Sequence, residues 1–120
     1  MNRDRQAILV DLIQGTRPTA ELLAELREYG WDSPSALVIL TRRHLLSVLR
    51  RYLTGKLSSD GCREWAEAVF GRDDIGLEAG WEERLKRVLF EVSEPEINGP
   101  MTRARAIAWV ELLGAPTGPD

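Results

Sequence analysis

The stretch from residue 41 to residue 55, TRRHLLSVLRRYLTG, constrains the fold most, because its apolar residues recur with the period of an α-helix. These residues occupy positions i, i+3, i+4, i+7 and i+8 on one side of a helix: Leu45, Val48, Leu49, Tyr52 and Leu53. Thr41 stands where an N-cap residue belongs, and Gly55 stands just past the last turn. The stretch therefore predicts an amphipathic helix whose outer face carries arginines.

Apolar residues recur at helical spacing in most of the remaining chain as well. This pattern predicts further helices over residues 4–14, 18–29, 59–70, 80–93 and 103–113, and no run shows the sustained alternation typical of strands. With 120 residues, 43% of them hydrophobic and 29% charged, the chain suits one globular domain. We predict an all-α fold, a compact bundle of five to six short amphipathic helices over residues 1–114, followed by a flexible C-terminal tail over residues 115–120.

Three of the predicted helix starts carry the same local signal. Thr41, Ser58 and Thr102 each bear a hydroxyl group that can accept hydrogen bonds from the unpaired N–H groups of a first helical turn. The segment WDSPSALVIL, residues 31–40, is harder to interpret because Pro34 breaks any continuous helix. Its residues 36–40 could form a short extended piece or a buried turn, and we expect an irregular segment or one helical turn.

The chain lacks the signals of export and of membrane insertion. It has one cysteine, Cys62, so it cannot form a disulfide within itself. The stretch MNRDRQAILVDLIQG lacks the long apolar run and the small-residue cleavage site of a secretory signal. No apolar run approaches the roughly 20 residues that a membrane-spanning helix needs. These features predict a cytoplasmic protein that does not enter a membrane.

Charge is distributed unevenly along the sequence. Residues 41–56 contain five positive residues and no acid, whereas residues 60–83 contain eight acids and two arginines. The total net charge of −3 argues against nonspecific binding to nucleic acid, for which a strongly basic face is expected. The molecule is therefore predicted to have one basic and one acidic face.

The acidic residues of this region are candidates for contact with a basic protein. We predict a protein-binding surface formed by Glu64, Glu67, Asp73, Asp74, Glu78, Glu82 and Glu83. In the competing interpretation, Asp73 and Asp74 cap a turn, while the three glutamates that follow favour the positive end of the dipole of the helix over residues 80–93. Both interpretations can hold together, because a capping carboxylate still projects negative potential into solvent.

The arginine helix supplies an alternative surface, for nucleic acid. Its candidate residues are Arg42, Arg43, Arg50 and Arg51. These arginines flank a complete apolar stripe, and neither helix-turn-helix spacing nor an aromatic stacking platform accompanies them. A solvated face paired with neighbouring acids is therefore the favoured interpretation, and nucleic acid is not the expected partner.

Catalysis and metal binding have little support in the sequence. His44 is the single histidine, and Cys62 lies on an apolar stripe with Trp65 and Val69, where a cysteine usually acts as a small hydrophobic residue. The acidic stretch DDIGLEAGWEE does not match a calcium-binding loop, and no glycine-rich phosphate-binding motif accompanies it. We expect no catalytic residue, no metal and no cofactor. A hydrolase or thiol enzyme built on Cys62 and His44 is the third alternative.

The stretch HLLSVLRRYLTGKLSSDGCREWAEAVFGRDDIGLE resembles a pattern found in small bacterial helical proteins of the colicin D immunity protein type. In this pattern a leucine-rich helix ends in a Y-L-x-G-like turn, and a polar cap then leads into a helix that carries a Trp-Ala pair, here Trp65 and Ala66. The resemblance implies a small antiparallel helical bundle without enzymatic activity. It also implies a bacterial protein that neutralises a nuclease toxin, because acidic residues of such proteins block the basic active site of the toxin.

Overall fold

Seven α-helices and two short strands make up the part of the chain that the structure, a computed structural model, describes, namely residues 4–114. In chain order these elements are α1 (Arg5–Gln14), α2 (Thr19–Leu26), β1 (Val38–Leu40), α3 (Arg42–Leu53), α4 (Ser59–Val69), β2 (Ile75–Leu77), α5 (Glu82–Ser93), α6 (Pro95–Asn98) and α7 (Arg103–Leu112). A 3-10 turn over Arg27–Tyr29 follows α2 directly. The predicted C-terminal tail, residues 115–120, lies outside the described residues.

The fold is predominantly helical, but the prediction of an all-α fold is wrong because the two strands form a small parallel sheet. In its register, Val38 lies opposite Ile75 and Leu40 lies opposite Leu77. Val38 and Leu40 are buried whereas Ile39 between them is 49% exposed, so β1 has the alternation of a strand with one face in the core. Three residues are too few for this alternation to be recognised in the sequence.

Most of the buried stripes agree with the sequence pattern, since they follow from the 3.6-residue period alone. The buried residues at helical spacing are Ile8, Leu9, Leu12 and Ile13 on α1; Leu45, Val48 and Leu49 on α3; Cys62, Trp65, Ala66 and Val69 on α4; and Leu85, Val88, Leu89 and Val92 on α5. Tyr52 and Leu53 are partly buried against this core. The amphipathic helices therefore build one continuous apolar interior.

On α7 the helical spacing predicts Ile107, Val110 and Leu113 as core residues; Leu113 is buried and Val110 is partly buried, but the prediction for Ile107 is wrong. Ile107 is 42% exposed, whereas Ala106 and Trp109 are buried. The Trp109 indole N–H donates a hydrogen bond to the Glu91 carboxylate at 2.8 Å, which satisfies its polar edge while its ring packs inward. The large area of a tryptophan outweighs that of an isoleucine when only one of them can face the core.

The predicted N-caps are confirmed at all three positions. The Thr41, Ser58 and Thr102 hydroxyl oxygens each accept a hydrogen bond from the backbone N–H three residues later. At α3 the cap is reciprocal, because the Nδ1 atom of His44 accepts from the backbone N–H of Thr41 at 2.9 Å. His44 thus has a structural role in starting α3.

Within residues 4–114, no helix combines the length and the apolar content that crossing a bilayer would require.

Candidate functional site

Asp74, one of the seven acids predicted to form a protein-binding surface, is completely buried. Its Oδ1 atom accepts a hydrogen bond from Arg72 Nε at 2.9 Å, and its Oδ2 atom accepts from Arg72 Nη2 at 3.0 Å and from Arg5 Nε at 2.8 Å. The placement of Asp74 on the exposed acidic surface is therefore wrong. The physical reason is that two guanidinium groups compensate the carboxylate, which makes its burial tolerable.

We call Arg5, Arg72 and Asp74 the Asp74 cluster. Burial raises the pKa of the Asp74 carboxyl, but the hydrogen bonds and charges of Arg72 and Arg5 outweigh this effect, so its pKa lies below the usual value. The cluster also reaches the loop after α2, because Arg72 donates to the Gly30 carbonyl at 3.0 Å and Arg5 donates to the Asp32 carbonyl at 2.8 Å. It thus joins α1, that loop and the start of β2.

Glu78 is also committed to the fold. One of its carboxylate oxygens accepts a hydrogen bond from the backbone N–H of Arg42 at 2.8 Å, at the first residue of α3. The Arg42 guanidinium in turn lies over the Trp81 ring, 4.0 Å from its centroid. The loop after β2 thus brings the Glu78 carboxylate to the N-terminus of α3, a contact that the sequence does not predict, while its interaction with the dipole of the helix over residues 80–93 stays a prediction.

Glu82 and Glu83 lie in the first turn of α5, as the dipole interpretation requires. Glu82 accepts a hydrogen bond from the backbone N–H of Gly80 at 2.9 Å. The side chain of Glu83 is 92% exposed and lies 3.9 Å from the ammonium group of Lys86. Asp73 is exposed as well, so these three carboxylates face solvent while their neighbour Asp74 does not.

The two acids of α4 stand apart from this group. Glu67 is exposed and forms an ion pair with Arg63 at 3.2 Å. Glu64 is exposed and lines a cleft that also contains Arg17 and Arg51. The structure therefore divides the seven predicted residues among several surroundings and does not place all of them on one surface.

Asp73 and Glu82 lie at the border of a groove that the sequence analysis did not predict. We call it the β2 groove; it runs between the end of α4, the strand β2 and one side of α5, and its volume is about 460 Å³. Its apolar lining comes from Val69, Phe70, Ile75, Leu77 and Leu89, and its exposed charged border comes from Asp73, Glu82 and Lys86; the buried Arg72 of the Asp74 cluster also lines it. A cleft of this size with a few polar groups at its edge has the character of a binding site.

The arginines of α3 do not share one environment. Arg43 and Arg50 are exposed, whereas Arg42 is held by Glu78 and Trp81. The Nη1 atom of Arg51 is buried and has no hydrogen-bond partner among residues 4–114. Only two of the four candidate arginines are thus presented to solvent, which reduces the positive face available for phosphate groups.

The Cys62 thiol is unsuited to nucleophilic chemistry. It is completely buried, and burial raises its pKa to about 11 even though the charge of Arg51 opposes this effect. A thiol with such a pKa stays protonated at neutral pH, and the thiolate is the reactive form. Partial burial lowers the pKa of His44, against the opposing charge of Glu78, which suits the acceptor role of its Nδ1 atom in the cap. Across residues 4–114, no three His, Cys, Asp or Glu side chains are grouped so that they could hold a metal ion.

Together these features define a small, predominantly helical protein with a buried ion-pair cluster and an apolar groove bordered by exposed acids. Comparisons of the chain with protein-family models, with curated proteins and with solved structures gave no match.

Proposed function

We propose that this protein is not an enzyme and acts by binding another protein, with the acidic border of the β2 groove as its contact surface. The observation that carries the proposal is the combination of an apolar cleft with the exposed carboxylates of Asp73 and Glu82 at its border; the exposed Glu83 follows Glu82 in the first turn of α5. Apolar contact at the centre of an interface supplies most of its affinity, while charges at its rim steer the partner and set its orientation.

The proposed partner is a basic protein domain, and its specific form is a bacterial nuclease toxin that this protein neutralises. The resemblance to the colicin D immunity protein type supports this form, since acidic residues of that type block a basic active site. Exposed acids on a chain of net charge −3 would accelerate association with such a partner. Asp74 and Glu78 contribute by holding β2 and α3 in place, because their carboxylates are already bonded within the fold.

A charge-neutral triple variant tests the proposal. The full chain, immobilised, captures its partner from a lysate of the organism that encodes it, and the captured protein is then purified for affinity measurements. Asp73→Asn, Glu82→Gln and Glu83→Gln together should weaken binding at least about tenfold, mainly through a slower association rate that depends on salt. A second readout is growth of cells that express the captured protein, which the wild-type chain should restore.

The matched control changes three exposed acids away from the groove: Asp60→Asn, Glu96→Gln and Glu111→Gln. This variant has the same net charge as the first one, so it separates the location of the charge from its amount. Equal affinity of the two variants would contradict the proposal. If Arg43→Ala and Arg50→Ala instead abolish a salt-sensitive mobility shift of nucleic acid, the alternative function through the arginine helix replaces it.

A further inference from the structure

The strand β2 pairs with β1 along one edge, and its residues also line the β2 groove. The backbone carbonyl of Asp74 accepts from Val38, and the backbone N–H of Glu78 donates to the Leu40 carbonyl at 2.9 Å. Backbone groups of alternate residues in a strand point to opposite edges. Ile75 and Leu77 therefore direct their N–H and C=O groups away from β1, and both residues line the groove.

The groups on this outer edge are mostly available. The N–H of Ile75 donates to the Arg72 carbonyl at 3.3 Å. The Ile75 carbonyl and both backbone groups of Leu77 have no hydrogen-bond partner among residues 4–114. Within the described part of the chain, no third strand pairs with β2. Unpaired strand groups of this kind are a template for the addition of another strand.

The two edges of this sheet differ in their surroundings. On the β1 side, helix α1 packs beside the strand and the side-chain amide of Gln6 donates to the Leu37 carbonyl at 2.9 Å, whereas the outward backbone groups of Ile39 have no hydrogen-bond partner among residues 4–114. On the β2 side, the residues of the strand line an apolar groove. This difference points to the β2 edge as the place where a further strand would pair.

We propose that an extended segment of the partner protein enters the β2 groove and adds to β2 as a third strand. Its alternate side chains are apolar and face Val69, Leu77 and Leu89, and a lysine or arginine of the segment faces Asp73 or Glu82. This inference rests on the proposed function, because it specifies how the partner occupies the same acidic border. Backbone hydrogen bonds would supply general affinity, and the apolar floor and the acids would supply selectivity.

Charge decides between this occupant and a second copy of the chain. Two copies that paired through their β2 edges would bring the exposed acids Asp73 and Glu82 of each molecule towards those of the other, with Lys86 as the exposed basic residue, since Arg72, which also lines the groove, is buried and paired with Asp74. Like charges placed face to face disfavour such a contact. A basic, extended segment can neutralise the acids at the border and can also pair with the edge of β2. A helical segment would leave the Leu77 backbone groups unpaired.

The test uses a display library of short random peptides, selected on the immobilised full-length chain. The expected peptides alternate apolar and polar residues and carry lysine or arginine. In a synthetic copy of one selected peptide, each backbone amide is then N-methylated in turn, which removes one donor at a time. Binding should weaken about tenfold at every second position and little at the positions between them, because only alternate amides face β2.

Matched variants test the same contact from the side of the protein. Leu77→Pro removes the backbone N–H on the outer edge of β2, Ile39→Pro removes the corresponding N–H on the outer edge of β1, and Leu77→Val shortens the side chain but keeps the donor. Peptide binding should weaken about tenfold for Leu77→Pro and stay within about threefold of wild type for the other two. Far-UV circular dichroism checks that each variant folds. If Leu77→Pro does not fold, the N-methyl scan alone decides whether the peptide adds as a strand.

Each outcome has a distinct meaning. Peptides that bind as helices, an N-methyl scan without alternation, or no selected peptide at all would overturn the strand addition. If binding then still depends on Asp73 and Glu82, the proposed function survives without it. Peptides that bind Asp73→Asn and Glu82→Gln chains as tightly as wild type would contradict both, since neither the groove border nor its charge would then matter.

Discussion

Asp73 and Asp74 are adjacent in the sequence, yet they belong to two regions with opposite properties. The Asp74 cluster is largely buried and internally paired, and every hydrogen bond described for the Asp74 carboxylate comes from a guanidinium group. The β2 groove is open, and its border carries the exposed carboxylate of Asp73 and an unpaired strand edge. Adjacent acids can therefore have different roles: Asp74 is bonded within the fold, whereas Asp73 is exposed and available for contact with another molecule.

The largest expected effect comes from breaking the buried region. Asp74→Ala leaves Arg72, whose side chain is 1% exposed, without its counter-ion, and removes the hydrogen bond to Arg5. Removal of one partner from a buried ion pair costs about 3–5 kcal/mol, so the free energy of unfolding should fall by that amount. Denaturation in urea measures it.

Asp73→Ala is the matched control for this prediction, because it removes the same group from the neighbouring exposed position. It should change the free energy of unfolding by about 0.5 kcal/mol or less. Similar losses for the two variants would mean that Asp74 is no more important to the fold than its neighbour.

The free energy of unfolding should also depend on pH, and this effect is expected to be smaller than that of Asp74→Ala. The pKa of Asp74 is lower in the folded chain than its usual value, so Asp74 contributes stability above the usual pKa of about 3.9, and this contribution is lost as the pH falls through its folded pKa. The pKa of Glu91 is lowered as well. Burial raises it, but this effect is outweighed by the hydrogen bonds from Trp109 and Arg87 and by the charges of Arg87 and Arg105. Stability should therefore decline below about pH 4.

Asp74→Asn isolates the contribution of the cluster to this decline, because the amide does not titrate. Unfolding by urea at several pH values between neutral and acidic gives the measurement. The variant should show a flatter dependence on pH than wild type, with Glu91 responsible for part of the remainder. Parallel pH profiles for the two chains would show that protonation of Asp74 does not weaken the fold.

The sequence predicts those parts of the molecule that depend on local spacing. The stripes of α1, α3, α4 and α5 and the three hydroxyl caps follow from residues within one or two turns of each other. The sheet does not, because β1 and β2 have three residues each and pair across two intervening helices. A strand of that length carries too little alternation to be distinguished from a turn.

The candidate site depends even more on contacts between distant residues. Asp74 is buried because Arg5 approaches it from α1, and the β2 groove exists because β2 lies beside α5. Asp73 and Asp74 lie in a turn that the hydrogen bond from the Ile75 N–H to the Arg72 carbonyl closes, at 3.3 Å. Which of the two acids is buried therefore depends on the position of the turn against α1, and the residue spacing alone does not predict it.

The smallest expected effect concerns the stability of the open region. Glu83→Gln removes one charge from a side chain that is 92% exposed and that faces Lys86 at 3.9 Å. Exposed ion pairs contribute about 0–1 kcal/mol and the helix dipole adds a similarly small term, so the free energy of unfolding should change by about 0.5 kcal/mol or less. Urea denaturation and partner binding are measured on the same sample. A near-neutral effect on stability together with weaker binding would place Glu83 among the residues that face a partner, whereas a loss as large as that of Asp74→Ala would erase the difference between the two regions.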